Sequence, residues 1–134
     1  MSDPLNGLAA LHYFAGDLVR AEAAFREALR AAERWDLVHV EGYVLINLGE
    51  VILKRGDSDA ATITLRVALA RHEVLGNDEG VAESQRLLAE AALAASDLPA
   101  AREWAAAASA SAERVGAPHL VEEAARVAGL VAAR

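Results

Sequence analysis

The sequence predicts an all-α fold of stacked helical hairpins, on two observations. The first is recurrence at forty residues. Gly16-Asp17, Gly56-Asp57 and Ser96-Asp97 share one register, as do Ala21, Ala61 and Ala101, and Ala28, Ala68 and Ala108. A fixed period in the twenties to fifties marks an array of supersecondary units. The second is composition. Hydrophobic residues make up 54% but aromatics only 4%, because much of the apolar content is alanine. Alanine, leucine, glutamate and arginine together favour helix almost everywhere.

The clearest copy is Leu45 to Leu69, two helices folded back across a polar turn at Arg55-Gly56-Asp57-Ser58. Taken in order, Asp3-Pro4 reads as an N-cap followed by proline at the first helical position. The first helix then runs from about Pro4 to Ala15, with Leu5, Leu8, Leu11 and His12 on one face. Gly16-Asp17 turns the chain into a second helix, Leu18 to Trp35, which buries Ala21, Ala24, Phe25, Ala28, Leu29 and Ala32. Asp36 is the expected cap of the third, Leu37 to Arg55, carrying Val44, Leu45, Leu48, Val51 and Ile52.

After Gly56-Asp57-Ser58 the fourth helix occupies Asp59 to Leu75. Thr62, Ile63 and Thr64 are locally β-branched, but the forty-residue register overrides that weak strand signal. Gly76-Asn77-Asp78 offers a left-handed stop and a new cap, so the fifth helix is Glu79 to Ala95. Ser96-Asp97 turns again, Pro99 opens the sixth helix, and that helix ends near Val115. Past Gly116-Ala117-Pro118 a seventh helix, His119 to Ala133, closes the chain. The repeats are about 2–41, 42–81 and 82–121, with a half repeat at 122–134. Helices of 16 to 18 residues span about 25 Å. No such hairpin hides its apolar face alone, so neighbours must stack. The last helix serves as a cap whose outer face carries Glu122, Glu123, Arg126 and Arg134.

A chain of 134 residues forms one domain with a core. Its net charge of −7 argues against nucleic-acid binding, which needs clustered cations. The absence of cysteine excludes disulfides, zinc–thiolate sites and thiol catalysis. MSDPLNGLAA lacks signal-peptide features, and no apolar run approaches a membrane span, so the expected setting is cytoplasmic.

The unit resembles the tetratricopeptide repeat in a forty-residue form. The bulky, small and alanine positions of that family fall on Leu45, Leu48, Gly49, Ile52, Ala61, Leu65 and Ala68. In the first unit they are Leu5, Leu8, Ala9, His12, Ala21, Phe25 and Ala28. The third has Gln85, Leu88, Ala89, Ala92, Ala101, Ala105 and Ala108, and the half unit Ala125, Ala128, Gly129 and Ala132. Small residues at Ala9, Gly49, Ala89 and Gly129 allow paired helices to approach closely. The later units depart from the pattern where alanine replaces bulky residues. The longer helices look like those of arrays in bacterial regulators and sensor ATPases.

The resemblance implies a right-handed α-solenoid of three hairpins and a capping helix, its hollow side lined by the first helix of each hairpin. That register turns Asn6, Ala10 and Tyr13 inward, then Tyr43, Ile46, Asn47, Glu50 and Lys54. Glu83, Arg86, Leu87, Glu90 and Ala94 follow, and Arg126 and Leu130 extend the wall. An extended peptide or a partner's helix would lie there, anchored by Tyr13, Tyr43 and Asn47, since tyrosine offers apolar area with a hydrogen-bonding tip. The plain alternative is an ordinary solvated helix face. Of the family's carboxylate-clamp positions only Asn47 fits. Asn6, Ala10, Glu83 and Leu87 occupy the others, so no clamp is expected.

Catalytic signatures do not stand out. No nucleophile elbow, phosphate loop or dinucleotide fingerprint occurs, and Gly76-Asn77-Asp78-Glu79-Gly80 lacks calcium-loop spacing. His12 reads as a core histidine. His119 and Glu123 share a helix face beside Glu122, but two ligands fall short of the three a catalytic zinc site wants. His39 with Glu41, and His72 with Glu73, face apart. No enzyme activity, metal or cofactor is expected, and Ser109 and Ser111 read as helix filler. Trp35 and Trp104 are expected to fill gaps between hairpins. The alternative is that Trp104, with the alanine surface of the sixth and seventh helices, forms a patch for homo-oligomers.

The expected function is a noncatalytic scaffold for a protein or peptide partner, without nucleic acid or membrane. Its alternatives are a regulatory or sensor segment of a signalling or transcription-regulating system, and a self-assembling structural unit.

Overall fold

The computed structural model describes residues 12, 13 and 16–134. The predicted first helix therefore lies outside the described residues, as do Asn6 and Ala10, except that His12 and Tyr13 are helical. The described residues hold six helices rather than seven: α1 (Leu18–Arg34), α2 (Val38–Lys54), α3 (Ser58–Leu75), α4 (Asp78–Ala94), α5 (Leu98–Val115) and α6 (Pro118–Ala132). No strand occurs among them.

The helices are separated by left-handed residues at twenty-residue spacing: Gly16, Asp36, Gly56, Gly76, Ser96 and Gly116, with φ of 81°, 53°, 96°, 67°, 58° and 75°. Around Gly56 its own N–H donates to the Leu53 carbonyl (3.0 Å), and the Asp57 N–H donates to that of Ile52 (3.3 Å). Those two bonds close α2 as a Schellman motif. The Asp57 carboxylate then accepts the Ala60 N–H at 3.0 Å and opens α3. Asp17 does the same with Arg20, and Asp97 with Ala100, at 3.0 and 3.2 Å. One residue thus ends one helix and starts the next.

Asp36 corrects the expectation that it caps α2. The N-cap is Leu37, which makes no side-chain bond, and Asp36 is used for its tolerance of the left-handed region. Thr62 and Thr64 sit inside α3, donating their hydroxyls to the Ser58 and Ala60 carbonyls at 2.8 and 3.0 Å.

Each helix packs on the next, and contact also runs directly from α2 to α4 and from α4 to α6. The second helices α1, α3 and α5 make no comparable contact with one another among the described residues. The core is heaviest around Leu48, Leu65, Leu87 and Leu88, all buried. Gly49 allows the close approach expected of it, because a Cβ there would stand 2.6 Å from Leu65 Cδ2. Gly129, in the same register, has nothing within 4 Å of that position among the described residues.

Towards the C-terminus alanines dominate the core, and Trp104 fills the space they leave. Partly buried, it packs against two core clusters, with the Arg66 guanidinium 5.7 Å from its ring centroid. Trp35 is 69% exposed, which overturns its expected gap-filling role. At the end of α1 the buried position is taken by Ala32 instead.

Candidate functional site

The face shared by Tyr13, α2, α4 and α6 brings most of the groove residues together. Tyr13 Oη donates to Glu50 Oε2 at 3.3 Å. Burial first, and the Glu50 carboxylate second, push the phenol's pKa up, while Lys54 opposes them. Tyr43 and Asn47 lie on the next turns of α2, Tyr43 37% exposed and Asn47 half-buried. Ile46 and Leu87 do not line the face. They are 3% and 1% exposed and belong to the core, because α2 and α4 are each flanked by several helices and bury a wide arc.

Arg86, Glu90 and Arg126, all assigned to the inward face by register, meet in one charge cluster with Glu123. Arg86 Nη1 donates to Glu90 Oε2 at 2.7 Å, and Arg126 Nη2 donates to Glu90 Oε1 at 3.3 Å and to Glu123 Oε2 at 3.1 Å. Arg86 stands 3.8 Å from Glu123. The four charges bind α4 to α6 as an alternating network.

Next to this network, Glu79, Glu83 and His119 bring one ligand atom each within 4.8 Å of one another. Burial pushes the Glu83 carboxyl up against the pull of Arg86, and Glu79 and Glu50 add like charge to the upward shift. His119 lies with these two residues of α4, while Glu123 is engaged by Arg126 of its own helix. The i, i+4 spacing of Glu79 and Glu83 was a visible signal. Its third member comes from a helix forty residues on.

His72 is the other group that sequence reasoning missed. Its ring is buried, with Gly42 and Gly80 against its faces and Tyr43 edge-on at 4.9 Å between centroids. Asn77 Oδ1 caps α4 by accepting the Gly80 N–H, which leaves Asn77 Nδ2 to donate to Tyr43 Oη at 2.9 Å and to face His72 Nδ1 at 3.2 Å. Nδ1 is then the acceptor and the ring proton sits on Nε2. Among the described residues, Nε2 has no partner in hydrogen-bond geometry. Burial holds this pKa below the usual histidine value; the Gly42 backbone opposes the shift and His39 adds to it. Ser111, read from sequence as filler, is buried and donates to Gln85 Oε1 at 2.6 Å.

No helix among the described residues is long and apolar enough to cross a membrane. No family model matches the chain, and no curated protein matches it.

Proposed function

We propose that the chain is a noncatalytic scaffold of the tetratricopeptide type, a curved α-solenoid that receives a peptide or partner helix on the face of Tyr13, α2, α4 and α6. The observation that carries this reading is the asymmetry of contact: among the described residues, first helices pack across successive hairpins and second helices make no comparable contact. In a bent stack the crowded helices lie on the inside of the bend. Tyr43, Asn47, Glu50 and the Arg86–Glu90–Arg126 network then form the inner wall, mixing apolar area with charge.

The test is capture from native extract with the chain and two sets of variants. Glu50→Arg and Arg126→Glu change the inner wall, and Ile63→Asp changes an exposed site on α3. Loss of one captured partner with both wall variants, and its retention with Ile63→Asp, supports the scaffold. Equal capture by all three overturns it.

A second reading, self-assembly, draws on α6, where Leu130 is 47% and Val121 38% exposed and Gly129 is uncovered. Light scattering on a concentrated sample decides it: a monomer disposes of the idea.

A further inference from the structure

Glu79 and Glu83 occupy successive turns of α4 and so share one face. His119, the second residue of α6, reaches the same place because α4 and α6 pack directly. The three side chains make no hydrogen bond or salt bridge with any described residue. The imidazole stays beyond the 4.0 Å of an ion pair with either carboxylate, yet all three ligand atoms lie within 4.8 Å of one another. That spacing leaves a gap between them. Two metal–ligand bonds of about 2.1 Å fill such a gap after a small side-chain rotation.

Glu79 and Glu50 bring like charge to Glu83, against Arg86 and His119. Glu83 is half-buried, and Glu50 adds a third carboxylate to its surroundings. The nearest cation, Arg86, is engaged by Glu90 at 2.7 Å. Among the described residues, no cationic side chain is ion-paired to Glu79 or Glu83. An ammonium or guanidinium would satisfy the carboxylates alone, whereas a metal ion also uses an imidazole nitrogen as a ligand.

We propose that Glu79, Glu83 and His119 bind one divalent transition-metal ion, of the class typified by zinc. One nitrogen and two carboxylate oxygens match the donor preference of that class better than magnesium, which favours oxygen alone. The ion clips the first two turns of α4 to the first turn of α6 and holds the last half repeat against the third hairpin. This site stands independently of the scaffold reading, since nothing in it depends on a partner.

Calorimetric titration of the metal-stripped chain with zinc chloride tests it, with magnesium chloride as comparison. One zinc per chain is expected, with a rise in melting temperature that magnesium does not give. His119→Ala and Glu83→Gln each weaken zinc at least about tenfold. His39→Ala, a histidine outside the cluster, leaves affinity unchanged. Circular dichroism of the metal-free variants checks that both fold, and the near-isosteric Glu83→Gln carries the test if His119→Ala does not. Absence of zinc binding overturns the site. So does binding that survives in both variants, or a magnesium response equal to that of zinc.

Discussion

His72 occupies the space that a side chain at Gly80 would need: a Cβ added there would lie 2.2 Å from Nδ1. Gly42 stands on the other flank, where an added Cβ would be 2.8 Å from Cε1 and Nε2. In the forty-residue register His72 replaces Ala32 and Ala112, both buried. A large ring at an alanine position is accommodated by two glycines on neighbouring helices.

Substituting Gly80→Ala should therefore destabilise the fold by about 1–3 kcal/mol through overpacking, although alanine is the better helix residue. His72→Ala alone should cost about 2–4 kcal/mol through the cavity it leaves. The double variant should be more stable than the sum of the single losses predicts. Urea denaturation of the four proteins measures the coupling, and simple additivity would refute the packing account.

Acid should weaken the fold through the same ring. The folded pKa of His72 lies below its unfolded value, so the unfolded chain binds the proton first as pH falls. Stability is full above about pH 6.5, the unfolded value, and declines as pH drops from there through the folded pKa. Below that the histidine contributes no further slope. Melting curves between pH 7.5 and 5 should show this decline, and His72→Gln should flatten it.

Ser96 holds φ at 58°, where its register mates Gly16 and Gly56 have no Cβ. Ser96→Gly should raise stability by about 1 kcal/mol, the left-handed penalty of an L-residue less the entropy of glycine in the unfolded chain. Thermal denaturation gives the sign, and a lower melting temperature would contradict the strain argument.

Ser84 is fully buried, and its hydroxyl has no hydrogen-bond partner among the described residues. Its register mates are Val44 and Ala124. Ser84→Ala should stabilise by up to about 1 kcal/mol by removing an unmet polar group. If stability falls by more than that, the hydroxyl is satisfied in a way the geometry does not display.

Helix ends were readable because their chemistry is local: a left-handed glycine, then an aspartate cap, placed the described boundaries within about a residue. Asp36 misled because aspartate serves equally as a cap and as a left-handed turn residue. Register put Arg86, Glu90 and Arg126 on one face but did not show their pairing, which needs α4 and α6 packed together. Ile46 did not, since a helix packed on several sides buries more than a single stripe. His72 and His119 were hidden for a different reason. Their partners, Gly42 and Gly80 for one and Glu79 with Glu83 for the other, sit on different helices, and only the packing of α2, α3, α4 and α6 brings them together. Glycine inside the first turn of α4, where the backbone needs no left-handed residue, was the available clue.

The double duty of Asp17, Asp57 and Asp97 has a consequence for engineering. Each marks a seam where the peptide leaves one unit and enters another with the same aspartate cap, so residues 57–96 form a cassette whose two ends match. Duplicating that cassette should lengthen the protein by a whole hairpin without new linker chemistry. Inserting a single amino acid within a helix would instead swing everything beyond it by about 100° and lose the fit.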